Sequence, residues 1–155
     1  MGWIFLWAFI DKLFGLGYAT CAGKETMCSS AWLAGGSPTT GFLSHSSGIA
    51  GGFFQALAQN GAAVAVVDWL FMLGLLGIGV ALITGAGVKI ASYSGALLLF
   101  FMYLAVPLTN NPFLDDHIIY AILLILLAWV HAGHYYGLGT WWSEHEFVKK
   151  HKWLD

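Results

Sequence analysis

The sequence predicts an all-α protein: a four-transmembrane-helix bundle with a long extracytoplasmic loop between helices 1 and 2 and a C-terminal interfacial helix. Three observations predict it. Of 155 residues, 59% are hydrophobic and only 9% charged, with a mean hydropathy of +0.75; a soluble domain carries roughly 25% charged residues. The runs 69–87 and 90–114 contain no Asp, Glu, Lys or Arg. Three of the apolar stretches approach the ~20 residues that an apolar helix needs to cross a ~30 Å hydrocarbon core. The length suits a single domain over residues 1–155.

The spans fall at about 1–19, 62–84, 88–106 and 117–136. The first is unusual. The sixteen residues up to Leu16 reach only about 24 Å as a helix. Either that helix continues through Gly15 and Gly17, or residues precede Met1. The N-terminus lacks a basic segment and an A-x-A-like site, so no cleavable signal peptide is expected. Gly85-Ala-Gly87 forms a tight turn between spans two and three, and 107–112, with two prolines and two asparagines, separates spans three and four.

In the loop after span one, Gly35-Gly-Ser-Pro-Thr-Thr-Gly41 is rich in turn formers. Phe42, Ile49, Phe53 and Leu57 then follow near a helical period, which predicts a short helix lying in the interface. A re-entrant loop packed on the bundle is the alternative. The loop also holds both cysteines, Cys21 and Cys28. An oxidising location permits a disulfide between them; a reactive dithiol is the sharper alternative. The spacing is not CxxC, and no histidine sits nearby at ligand spacing, so no metal is expected.

Lysines set the expected orientation. Lys149, Lys150 and Lys152 follow span four and Lys89 precedes span three, whereas Asp115 and Asp116 lie between spans three and four. The positive-inside rule places both termini in the cytoplasm and loop 20–61 outside. The tail from Trp141 to Asp155 reads as a helix lying on the cytoplasmic surface, with Lys149 and Lys150 toward anionic lipid. All six basic residues are lysines, which speaks against nucleic acid as a partner.

Ionisable groups in lipid cost about 2.5–3.5 kcal/mol each on insertion scales, so they face an interior, a cavity or a partner. Asp11 and Lys12 stand inside the first span, Asp68 in the second, Tyr103 near the end of the third, and Asp116, His117 and Tyr120 at the start of the fourth. All fall in the outer half of the bundle. Neighbours on a helix point ~100° apart, so at least one of Asp11 and Lys12 is expected to pair with another helix, with Asp116 or His117 as candidates. Such a cluster is able to bind a small anion, hydrogen-bond a quinone carbonyl or relay a proton. Interfacial anchoring with one internally satisfied Asp–Lys pair is the plainer reading of the same residues.

At the inner end stand His131, His134, Tyr135 and Tyr136. Haem is not expected, because spans one to three contain no histidine and His117 and His131 lie about 21 Å apart on one helix. Small residues Gly77, Ala81 and Gly85 repeat every four positions and predict a close-packing stripe, for the bundle or for a homo-oligomer. No flavin or nucleotide motif is present.

Several blocks resemble the DoxX/DoxD-like membrane proteins: Gly2 to Thr20, Ala31 to Leu43, Asn111-Pro-Phe-Leu-Asp-Asp-His117 and Gly137-Leu-Gly-Thr-Trp-Trp142. The DoxD-like branch includes the small membrane subunit of thiosulfate:quinone oxidoreductase. The resemblance implies a four-helix subunit that partners a second protein and passes electrons to a membrane quinone. Relatives usually have residues before the Gly-Trp block and often carry an arginine near the position of His134; this chain has no arginine. In the enzymatic reading Lys12 supplies positive charge, Asp11 and Asp116 hold it, His117 exchanges the quinone proton, and Asp68, Tyr103 and Tyr120 line the pocket. The rivals are a non-catalytic structural subunit of a larger complex and a small proton-coupled carrier.

Overall fold

The computed structural model describes residues 1–106, 114–135 and 137–151. The expected turn at 107–112, together with Tyr136, Lys152 and Trp153, lies outside the described residues. Those described form helices and connecting turns: α1 (Gly2–Phe14), a 3-10 turn (Trp32–Ala34), α2 (Thr40–Ser44), α3 (Gly51–Ala58), α4 (Gly61–Thr84), α5 (Val88–Ala105), α6 (Asp116–Trp129), α7 (Ala132–Tyr135), α8 (Gly139–Glu144) and α9 (Glu146–Lys150).

The bundle is built from α1, α4, α5 and α6, each packed on the next. A side chain at Gly95 on α5 would touch Leu124 of α6, Ile78 of α4 and Phe5 of α1, so all four helices meet there. Their buried apolar residues, including Leu75, Ala91, Leu99 and Ala121, form one core. The tightest approach is between α1 and α4. A Cβ on Gly79 would lie 2.7 Å from the Leu6 backbone nitrogen, and one on Gly2 would lie 3.0 Å from the Gly79 carbonyl oxygen. Of the expected stripe, Gly77 is exposed with open space around it, Ala81 packs against the core and Gly85 meets Gly133, while the contact with α1 is made by Gly79.

Two helices, α4 and α5, are long and apolar enough to cross a membrane. A core helix of a soluble protein is mostly buried, but only 28% of the apolar stretch of α4 and 33% of that of α5 is covered. Leu70, Leu73, Leu97, Phe101, Ile122 and Trp129 are among the large apolar side chains left exposed.

The outer spans differ from expectation. α1 stops at Phe14, not residue 19, because Gly15 turns left-handed (φ 61°) and its N–H closes on the Asp11 carbonyl. A Cβ on Gly15 would also lie 2.6 Å from the Cys21 sulfur. The fourth stretch breaks after Trp129, where His131 takes a positive φ of 49° that non-glycine residues rarely adopt. As helices, α1 and α6 have 13 and 14 residues, short of the ~20 needed to span alone. The single interfacial helix expected over 42–57 is two short ones, α2 and α3, separated at 45–50 by a segment that folds back onto α5. The tail expected as one helix is likewise divided at His145 into α8 and α9.

Candidate functional site

Asp11 is 1% exposed. Its partners are not on another helix. The backbone N–H groups of Tyr18, Ala19 and Thr20 donate to its carboxylate at 3.3, 3.1 and 2.8 Å. The chain leaving α1 curls back, and the carboxylate gathers donors that would otherwise be unpaired. Met27 N–H completes this by donating to the carbonyls of Phe14 and Gly15. Cys21 and Cys28 are joined as a disulfide, S–S 2.07 Å, closing the segment that sits on the end of α1.

Asp68 does the same for the next part of the loop. It is buried, and one of its oxygens accepts from the Ser37 hydroxyl at 3.0 Å, the Thr39 N–H at 3.1 Å and the Thr39 hydroxyl at 2.5 Å. Thr40 bonds to Ser37 through both its N–H and its hydroxyl, and Trp32 packs edge-on against Trp69 at 4.8 Å between centroids. A third attachment joins the loop to α5: the N–H groups of Ser47 and Gly48 donate to the Ala105 carbonyl, and that of Ala50 to Leu104. These carbonyls are among those a helix end leaves unpaired. Residues 15–60 therefore form a cap fastened to α1, α4 and α5.

Lys12 Nζ stands 5.9 Å from the centre of the Phe71 ring on α4, within reach of a cation–π attraction. Among the described residues, no carboxylate oxygen lies within 4.0 Å of it. The expected pairing of Asp11 or Lys12 with Asp116 or His117 does not form, and α1 has no extended contact with α6. His117 instead pairs with Asp115, Nδ1 to Oδ2 2.6 Å. Asp115 also caps α6, its other oxygen accepting from the Ile118 N–H at 3.1 Å. Burial alone would raise the Asp115 pKa, but the bonds from His117 and Ile118 outweigh it and hold the carboxyl below its ordinary value. Asp116 is exposed on the first turn of α6, and Tyr120 packs against the core. Tyr103 is half-buried near the end of α5.

The structure thus brings Asp11, Lys12 and Asp68 to the cap side of α1 and α4, and leaves Asp116 and His117 at the start of α6. Sequence reasoning missed Ser37, Thr39 and Asp115. Ser37 and Thr39 lie in the Gly-Ser-Pro-Thr block, where hydroxyls spaced two apart are a signal for a shared acceptor. Asp115 stands two residues before His117 at a typical N-cap position. At the opposite end, the rings of His131 and His134 stand edge to face, 5.9 Å apart. Among the described residues, no three metal-ligating side chains gather. No protein-family model, no curated protein and no solved structure matches this chain.

Proposed function

We propose that this chain is an integral membrane protein with both termini in the cytoplasm and the cap outside, and that it serves as the small subunit of a quinone-linked oxidoreductase of the DoxX/DoxD-like kind. The observation that carries the membrane part is the apolar surface of α4, α5 and α6. Many large apolar side chains on these helices are exposed, and most of the apolar stretches of α4 and α5 is uncovered; a large uncovered apolar face marks a surface that meets lipid or a partner. The short outer helices α1 and α6 complete the four-span bundle, the first extended by the cap and the second by α7. The disulfide in the cap agrees with an oxidising outer compartment.

The redox part rests on the resemblance of the sequence blocks named above to that family. Lys12 is its best-placed residue: a cation against an aromatic ring, beside the cap and, among the described residues, with no carboxylate oxygen within 4.0 Å. Asp11 and Asp68 act as positioning residues in this reading, since their oxygens already hold the loop. That last observation favours a second reading, a non-catalytic subunit whose buried carboxylates serve assembly alone.

The test is quinone reduction by membranes containing the chain with its co-purifying partners, with thiosulfate or sulfite as donor. Activity that disappears in Lys12→Met while the complex still assembles supports the enzyme. Absence of activity in the intact complex refutes it, and unchanged turnover in Lys12→Met transfers the case to the structural subunit.

A further inference from the structure

The two cysteines close a short loop that rests on the end of α1, and their sulfurs differ in access. Cys21 is only 7% exposed, and its sulfur packs on Gly15, where a Cβ would lie 2.6 Å from it. Residues 22–27 are exposed and Cys28 is half-buried. On the exposed side the Ser30 N–H donates to the Cys28 sulfur at 3.4 Å. Such a bond is weak to a neutral disulfide sulfur and stronger to a thiolate, so it favours the reduced form.

The backbone of this loop is held in an unfavourable shape. Among the described residues, three non-glycine residues take a positive φ, and two of them, Cys21 (63°) and Met27 (60°), stand at the two ends of the loop. L-residues rarely adopt that conformation, and a fold that keeps them there stores strain. The same two ends carry the contact with α1. Met27 donates its N–H to the carbonyls of Phe14 and Gly15. Cys21 directly follows Thr20, whose N–H donates to the Asp11 carboxylate at 2.8 Å. Opening the disulfide lets both ends relax, which draws residues 18–20 off the carboxylate they cover.

We infer that the Cys21–Cys28 disulfide is a reducible clasp on the cap, and that Cys28 is the sulfur an external thiol attacks. The reductant's thiolate bonds to the Cys28 sulfur, the S–S bond breaks, and Cys21 leaves as a thiolate that takes up a proton. A second thiol then attacks the reductant's sulfur in the mixed disulfide and expels Cys28. Two thiols become one disulfide, and two electrons and two protons pass to the chain. The reduced chain has a loosened cap and an Asp11 carboxylate without its loop donors; reoxidation closes both. Neither the membrane reading nor the quinone-linked reading is needed for this switch.

The test uses the purified full chain. A brief pulse of glutathione is quenched with an alkylating agent, and peptide masses locate both groups. Glutathione should sit on Cys28 and the alkyl group on Cys21; the reverse overturns the choice of attacked sulfur. Dithiothreitol, mixed with its oxidised form in graded ratios, should reduce the disulfide without denaturant. Hydrogen exchange of residues 15–30 should then rise about tenfold or more, with α5 unchanged, and return on reoxidation. Thiols that appear only in denaturant, or reduction that leaves exchange of residues 15–30 unchanged, overturn the clasp. Met27→Gly, which accepts a positive φ freely, should need about fivefold more reductant at the midpoint, the cost of one left-handed L-residue. Asp11→Asn should need less reductant, because the carboxylate and the disulfide hold the same segment and coupling is reciprocal. An unchanged midpoint in Met27→Gly refutes the stored strain, and one in Asp11→Asn refutes the coupling to α1.

Discussion

Replacing Asp11 by asparagine tests the latch between α1 and the cap. The carboxylate accepts three backbone N–H bonds. Bonds to a charged group are worth about 1.5–3 kcal/mol each and neutral ones about 0.5–1.5 kcal/mol. The amide oxygen of asparagine is able to replace Oδ2 and keep the bonds from Ala19 and Thr20 as neutral ones, but its NH2 then faces the Tyr18 N–H, donor against donor. Relief of the buried charge offsets part of the loss, leaving a local destabilisation of about 2–3 kcal/mol. Amides of residues 15–30 should then exchange hydrogen about 30- to 150-fold faster, with peptides from α5 unchanged. Equal exchange of the cap in both proteins would refute the latch. Acceleration spread evenly over α4 and α5 would show that Asp11 supports the bundle as a whole.

Other expectations follow from the same geometry. Gly79→Ala should destabilise by about 1–3 kcal/mol, because its Cβ would press on the Leu6 backbone, while Gly77→Ala should leave the melting temperature unchanged or slightly raised. Cys21→Ser/Cys28→Ser opens a closed loop with a sequence separation of 7 and should cost about 2–3 kcal/mol by chain entropy, seen as faster proteolysis of the cap. Because the Asp115 pKa is lowered in the fold, its contribution is present above the unfolded value of about 3.9 and is lost as pH falls through the lower folded value. The first turn of α6 should therefore loosen below about pH 4, and Asp115→Asn, which still caps, should flatten that dependence when followed by hydrogen exchange.

The two long helices were legible because charge-free apolar runs and the Gly-Ala-Gly turn set their limits almost to the residue; α4 and α5 begin and end within one position of expectation. The ends of the other two were not. Gly15 stops α1 through a left-handed turn, but the same glycine is also tolerated inside membrane helices, so residue type alone did not decide. Histidine is enriched among the few non-glycine residues at positive φ, but that is too weak a signal to mark the break at His131. The polar groups were harder still. Asp11 and Asp68 stood out as costly charges, but their partners are backbone and hydroxyl groups of a loop, which carry no charge pattern. The pairing of Asp115 with His117 was hidden because three ionisable residues stand in a row and only geometry selects the partner.

The latch at Asp11 also bears on the order in which the chain folds as it is made. Until residues 18–20 emerge, the Asp11 carboxylate on α1 lacks the backbone donors that surround it in the fold. The partners of the carboxylate lie only seven to nine positions downstream, which synthesis at about 5–20 residues per second delivers within roughly two seconds. The end of α1 is thereby completed by the segment that follows it, and the carboxylate is satisfied only after the chain has turned back over that end.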